Sequence, residues 1–195
     1  MKKNKSISVP IEASARHIHL CQHAIDKLFG KNYQLTPLRQ LSQPHEFACK
    51  ETLKIKSKMG EFDNVRILGP VREYCQVEIS ATDARRLDLN PPVHESGDAD
   101  HTLGITVIGP KGTVKLKRGV ILAWRHIHAS TDQAEKYNLK HGEMVSVKIA
   151  GPRELIFANV EIKVNDAFDW HMHIDTDEAN ACGLNSENNT GQVLL

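Results

Sequence analysis

The tetrapeptide Arg-His-Ile-His occurs twice, at Arg16–His19 and Arg125–His128, and supplies four of the chain's eleven histidines. In a β-strand, residues i and i+2 face one way and i+1 the other. Each copy therefore aims two imidazoles at one face and an isoleucine into a core. Two imidazoles begin a metal site, but a zinc ion that does chemistry takes three protein ligands and keeps one position open. Two further segments carry matching donors. Aligning "RHIHLCQHAIDKL", "VEISATDARRL", "RHIHASTDQAEKY" and "MHIDTDEANACGL" superposes the Ile-centred triplets His17-Ile18-His19, Glu78-Ile79-Ser80, His126-Ile127-His128 and His173-Ile174-Asp175. Glu78 and His173 then stand where third ligands are needed, which gives two sites with room for substrate. A single His-x-His at a strand end is more simply a surface pair; two copies with two donor-bearing partners favour metal. His171 shares the parity of His173 and competes for its face, although a partly exposed strand residue is the simpler reading. His23, His45, His94, His101 and His141 lack such a context and read as surface residues, and Cys75 reads as a core thiol.

Short strands must carry these triplets. "VRILGPV", "YCQVEIS", "LGITVIGPKGTVKL", "GVILAWRHIH", "EMVSVKIAGP", "LIFANVEIKV" and "WHMHID" are β-branched or alternating and are bounded by Gly, Pro or Asn. "GPKG" at Gly109–Gly112 reads as a tight hairpin turn. The helical windows are short. "CQHAIDKLFG" ends on Gly30, a natural C-cap, and "STDQAEKYNLKHG" opens with Ser130 and Gln133 at capping-box spacing. Thr82-Asp83, Thr131-Asp132 and Thr176-Asp177 follow three of the triplets and predict helix starts capped by Thr or Asp. Asn90–Gly104 and Lys31–Phe47 read as irregular. Many short strands with few short helices predict a mainly β fold of barrels or sandwiches, not a doubly wound sheet.

Apolar residues make up 40% of the chain and charged residues 25%, and the formal net charge is +1. Bulk electrostatics therefore points to neither a nucleic acid nor a membrane surface, and aromatics at 5% argue against a nucleic-acid binder. No apolar run has the length of a membrane span. Cys21, Cys49, Cys75 and Cys182 form no Cys-x-x-Cys pair and read as free thiols in a reducing compartment. The basic start "MKKNKSISVPIEAS" lacks the apolar stretch of a signal peptide and reads as a short polar tail leading into a strand.

The segments "SARHIHL", "LSQPHEFACKETL", "VRILGPVREYCQVEIS", "ESGDADHTLGITVIGPKG", "WRHIHAS" and "MHIDTDEANACGL" together closely resemble the PduL-type phosphate acyltransferases, the phosphate propanoyltransferase family, from about Val9 to Leu184. The resemblance implies an enzyme that interconverts acyl-CoA plus phosphate with acyl phosphate plus coenzyme A, on propanoyl-CoA or acetyl-CoA. It implies two small β-barrels capped by short α-helices, with a di-metal site between them. One barrel would join residues 1–15 to 124–195, and the other would take residues 16–123 with an irregular insertion near 31–47. The resemblance assigns His17, His19 and Glu78 to one Zn2+ and His126, His128 and His173 to a second. Arg72 in "GPVRE" matches the arginine that holds phosphate. Ala13, Ser14, Ala15, Arg66, Leu68 and Asn180 match positions around coenzyme A. Arg39 stands where relatives carry Lys near the CoA phosphates, and a rigid guanidinium fork makes different contacts from a point charge. His45 in place of Gly, His171 in place of an acidic residue and Trp124 in place of a small one are further departures, and they bear on fine substrate preference.

On this reading phosphate, already an anion at neutral pH, attacks the thioester carbonyl. One zinc holds the CoA sulfur as the leaving thiolate, and the other orients phosphate with Arg72. Little proton transfer is needed, in keeping with the lack of a Ser/His/Asp or Cys/His set. Asp175 reads as a helix cap or as a partner behind the ligand shell. The competing readings are a zinc-dependent hydrolase using a metal-bound water and a non-catalytic zinc-stabilised binding module, which would have no need of Arg72. Relatives destined for bacterial microcompartments, as in propanediol degradation, carry an amphipathic extension ahead of "SARH"; here about a dozen polar residues precede it. The expectation is therefore a free cytoplasmic bacterial enzyme, with the microcompartment lumen and its shell as the alternative. The expected partners are acyl-CoA, phosphate and a second copy in a homodimer, with neither nucleic acid nor membrane.

Overall fold

The computed structural model describes residues 7–194; the polar tail at residues 1–6 lies outside the described residues. The elements in chain order begin with β1 (Ile7–Ser14), β2 (His17–His19), α1 (Gln22–Phe29), β3 (Pro37–Gln40), β4 (Phe47–Lys56), β5 (Glu61–Gly69), β6 (Gln76–Glu78), α2 (Ala81–Arg86), β7 (Val93–His94) and β8 (Thr106–Ile108). They continue with β9 (Thr113–Lys115), β10 (Val120–Ala123), β11 (His126–Ala129), α3 (Thr131–Tyr137), β12 (Met144–Ile149), β13 (Leu155–Val164), β14 (His171–Asp175), α4 (Thr176–Cys182) and β15 (Thr190–Leu194). The fold is mainly β with short helices, as the pattern of short alternating runs requires.

Two compact units divide the chain. Among the described residues, the first takes residues 7–14, Ser42–Pro44 and residues 124–194; the second takes Ala15–Leu41 and His45–Ala123. In the first, six strands close a barrel in the order β1, β14, β11, β13, β12, β15. Alternation fills its interior, since every second residue must turn inward: Val9, Ile127, Val147, Val160, Ile162 and Met172 are fully buried. In the second, a nine-stranded half-barrel sheet runs β7-β10-β6-β2-β5-β4-β8-β9, with β3 paired to β4. Its core is Ile18, Ile25, Leu28, Ile55, Ile67, Val77 and Leu87.

Several local expectations are refined. The stretch 31–47 is not wholly irregular: Pro37–Gln40 pairs antiparallel with β4. Ser42–Pro44 belongs to the barrel unit, where the Gln43 amide donates to the Asp169 carbonyl and accepts from the Asp169 N–H, both at 3.0 Å. Glu78-Ile79-Ser80 is not an Ile-centred strand, because β6 ends at Glu78 and Ser80 already caps α2. The helix caps are Ser80, Ser130 and Asp175, not the Thr-Asp pairs that follow them. An N-cap needs an extended backbone whose side-chain oxygen can reach the N–H three residues on; the pairs lie inside the first turn, where the carboxylates meet the helix dipole. The Ser130–Gln133 capping box forms in full. At the "GPKG" turn Gly109 N–H donates to Gly112 O at 2.9 Å. A Cβ on either glycine would lie within 2.7 Å of a backbone oxygen of Leu28 or Lys27, so these glycines let the end of α1 lie against the hairpin.

Candidate functional site

In each unit the Arg-His-Ile-His strand is the middle one of three. β2 runs parallel to β5 and antiparallel to β6, which sets His17 beside Arg66 on one side and Glu78 on the other. β11 runs parallel to β13 and antiparallel to β14, which sets His126 beside Glu161 and His173. Paired residues in a ladder share a face. Glu78 thus joins His17 and His19, and His173 joins His126 and His128, while Ile18 and Ile127 point into their cores.

The arginine of the repeat has a structural task. Arg16 donates from Nε and Nη2 to both carboxylate oxygens of buried Asp83, at 2.8 and 2.6 Å. Arg125 donates from Nη1 to Glu178 at 2.6 Å. Asp83 and Glu178 hold the same place, the third residue of the helix that follows the third-donor strand. Each guanidinium also lies over a phenylalanine of the parallel neighbour strand, Arg16 over Phe62 at 4.3 Å and Arg125 over Phe157 at 5.5 Å. The arginine thereby ties its own strand to both neighbours. Phe62, Phe157, Asp83 and Glu178 carry no sequence signal of this role until the strands are registered.

At the first donor set, His17 Nδ1 lies 2.9 Å from the Ala15 carbonyl, which turns Nε2 toward Glu78 Oε2 at 3.5 Å. Ligand atoms of His17, His19 and Glu78 all fall within 4.8 Å of one another. His19 is buried and its Nδ1 has no hydrogen-bond partner among the described residues. Burial, the His17 imidazole and the Arg72 charge hold the His19 ring well below the usual imidazole range, so it is neutral, the form that ligates metal. Arg72 follows the end of β5; its N–H donates to Leu20 O at 2.9 Å and its Nη2 to Glu46 at 3.0 Å.

At the second set the ring centroids of His126, His128 and His173 lie 4.5, 4.9 and 5.3 Å apart. His126 Nδ1 lies 2.7 Å from the Trp124 carbonyl, the same i−2 contact that orients His17. Phe168 stacks on His128 at 4.0 Å. His171 pairs with His128 across the ladder, and β13 adds buried Glu161 and Lys163, 3.7 Å apart, on the same face. Strand alternation marks that face, but nothing in the sequence marks β13 as the neighbour.

The donors fit a zinc ion. Two imidazoles with a carboxylate, and three imidazoles, are both open-site ligand sets. The carbonyl-bound Nδ1 of His17 and of His126 is the outer contact that fixes a ligating ring. The partnerless buried nitrogen of His19 is the group such an ion would satisfy.

The remaining site residues fall in both units. Arg66 and Leu68 alternate with buried Val65 and Ile67 and share the face of His17, and Arg66 Nη1 donates to Cys49 O and Lys50 O at 2.8 and 2.9 Å. Arg39 is exposed on β3, Ala13 and Ser14 end β1, Ala15 is exposed just beyond it, and Asn180 is exposed on α4. One surface assignment and one core assignment need correction. His94, on β7, is half-buried, with Nε2 3.7 Å from Asp98. Cys75 is only partly buried, with Sγ 3.4 Å from Cys21 Sγ, and burial pushes its thiol up to about 12. Asp175 accepts from the Glu178 N–H at 2.8 Å as the cap of α4. Among the described residues no helix is long and apolar enough to cross a membrane.

A barrel and a half-barrel sheet, each built around a histidine strand with a third donor from its antiparallel neighbour, define a mainly β enzyme class. Residues 10–185 match the family model described as phosphate propanoyltransferase. The chain is 48% identical over 179 residues to a phosphate propanoyltransferase of Clostridioides difficile, covering 92% of this chain and 86% of that one. It is 47% identical over 183 residues to one of Thermotoga maritima (93% and 87%), and 46% over 191 residues to one of Priestia megaterium (98% and 88%). The chain belongs to the phosphate propanoyltransferase family of acyltransferases.

Proposed function

We propose that the chain moves an acyl group between coenzyme A and inorganic phosphate, with propanoyl-CoA and acetyl-CoA as acyl donors. We further propose that it does so with zinc at His17, His19 and Glu78 and at His126, His128 and His173. The observation that carries this reading is the convergence of the first donor set within 4.8 Å, with Arg72 near enough for its charge to act on His19. Zinc bound there supplies a Lewis acid suited to a leaving thiolate. Arg72 presents a planar fork matched to phosphate oxygens. Its backbone N–H donates to Leu20 O and its Nη2 to Glu46. A phosphate oxygen attacks the thioester carbonyl carbon, the carbon–sulfur bond breaks, and the sulfur leaves as thiolate while the new carbon–oxygen bond makes acyl phosphate. Phosphate is an anion at neutral pH, so no side chain need take its proton. Holding it beside the thioester supplies much of the rate. Arg66, Leu68, Arg39, Ala13, Ser14, Ala15 and Asn180 are the residues for coenzyme A.

The test is thiol release from acetyl-CoA and propanoyl-CoA by metal-replete protein, with and without phosphate. Release should require phosphate and acyl phosphate should accumulate. Arg72→Ala should cut kcat/KM for phosphate by about 10²-fold or more while zinc content is kept. Release without phosphate would identify a thioester hydrolase instead, and no release from fully zinc-loaded protein would refute acyl transfer.

A further inference from the structure

One oxygen of Glu78 is taken up before any metal is considered. Gln76, fully buried, stands two residues before Glu78 on β6 and pairs with His19 across the ladder. Its Nε2 donates to Glu78 Oε1 at 2.6 Å and to Ser96 Oγ at 2.8 Å. Ser96 Oγ donates in turn to the same Glu78 Oε1 at 2.7 Å. The Gln76 carbonyl oxygen accepts from Gly97 N–H at 3.0 Å, which fixes which end of the amide is nitrogen. Gly97 has φ +108, a left-handed conformation that glycine adopts without strain, and this turns its N–H to the amide. The amide nitrogen and the serine hydroxyl thus both engage the same carboxylate oxygen. Glu78 Oε1 holds two donors, and Oε2 is the oxygen turned toward His17.

We propose that Gln76 and Ser96 are positioning residues that occupy one carboxylate oxygen of Glu78 and present the other as a single-oxygen metal donor. This rests on the zinc reading of the first donor set. A carboxylate has two oxygens and can close on a metal with both, which would consume the position a substrate needs; an imidazole offers one nitrogen and needs no such restraint. The second set agrees. There the third donor is His173, and the place of Gln76, opposite the second histidine of the repeat, is taken by His171. The network also gives a task to Ser96 and Gly97, in a stretch whose sequence reads only as loop.

The experiment is zinc competition against a chromogenic chelator on the full chain, with metal-free circular dichroism to check folding and the visible spectrum of cobalt-loaded protein to read coordination. Gln76→Leu and Ser96→Ala should each weaken the first site by about 10- to 100-fold and leave the second unchanged, and Ser96→Thr should restore it. The cobalt bands of Gln76→Leu should weaken as the freed oxygen adds to the metal. Should Gln76→Leu not fold, Ser96→Ala is read in both assays. Wild-type affinity in these variants overturns the proposal, as does reduced affinity with an unchanged cobalt spectrum. If His17→Ala removes no zinc from the wild-type chain, the zinc reading itself fails.

Discussion

The two donor sets stand on one frame and differ in chemistry. Each frame has a central histidine strand, a parallel neighbour, an antiparallel neighbour bearing the third donor, and an arginine clamped over phenylalanine into a carboxylate at the third position of a helix. The first frame holds Glu78 with a buried amide and hydroxyl behind it. The second holds His173, with Phe168 stacked on its neighbour His128. A zinc ion on the first would be one charge unit less positive than on the second, because only the first donor set is anionic. Ladder register and the arginine clamp thus decide where donors sit. Which donor sits there is free to vary, since that face does not fill the hydrocarbon core. The partners behind the donor must vary with it, as Gln76 and Ser96 do.

The largest effect should come from removing one ligand in each frame. His17→Ala and His126→Ala should each lower zinc by one ion per chain and cut phosphate-dependent thiol release by about 10²-fold or more, read by metal analysis and turnover. If one variant keeps full zinc and the other does not, the two frames are not equivalent. Exchanging the third donors asks a finer question. Glu78→His and His173→Glu should both keep metal, with zinc affinity down about 10-fold in a chelator titration, because the frame holds position while the outer partners no longer match. Complete loss of zinc in either would mean that donor identity, not register, governs the site. The smallest effect should be in the clamps. Arg16→Ala strands buried, doubly bonded Asp83 and should cost about 2 kcal/mol, whereas Arg125→Ala breaks one bond to Glu178 and one to the exposed Ala158 carbonyl and should cost about 1 kcal/mol, compared by urea unfolding. Equal losses would show that the second bond to Asp83 is worth no more than the Arg125 bond to the Ala158 carbonyl.

Much of the site could be read from the chain. Period-two parity put His17 with His19 and His126 with His128, and the segment match singled out Glu78 and His173, because both signals are properties of neighbouring residues. The capping box of α3 and the Gly109–Gly112 turn were legible for the same reason. The parity that links Gln76 to Glu78 was equally local, but its meaning came from Ser96, 20 residues further on in a stretch without pattern.

By itself the sequence determined the strand content, the helix caps within a residue or two and the parity that sets each histidine pair on one face, since these follow from spacing and from the chemistry of single residues. Tertiary structure alone decided that β2 lies between β5 and β6 and β11 between β13 and β14, that Arg16 and Arg125 reach Asp83 and Glu178, and that one oxygen of Glu78 is already held. Those outcomes depend on strand register across distant segments and on hydrogen bonds that exist only within about 3 Å, which no local spacing encodes.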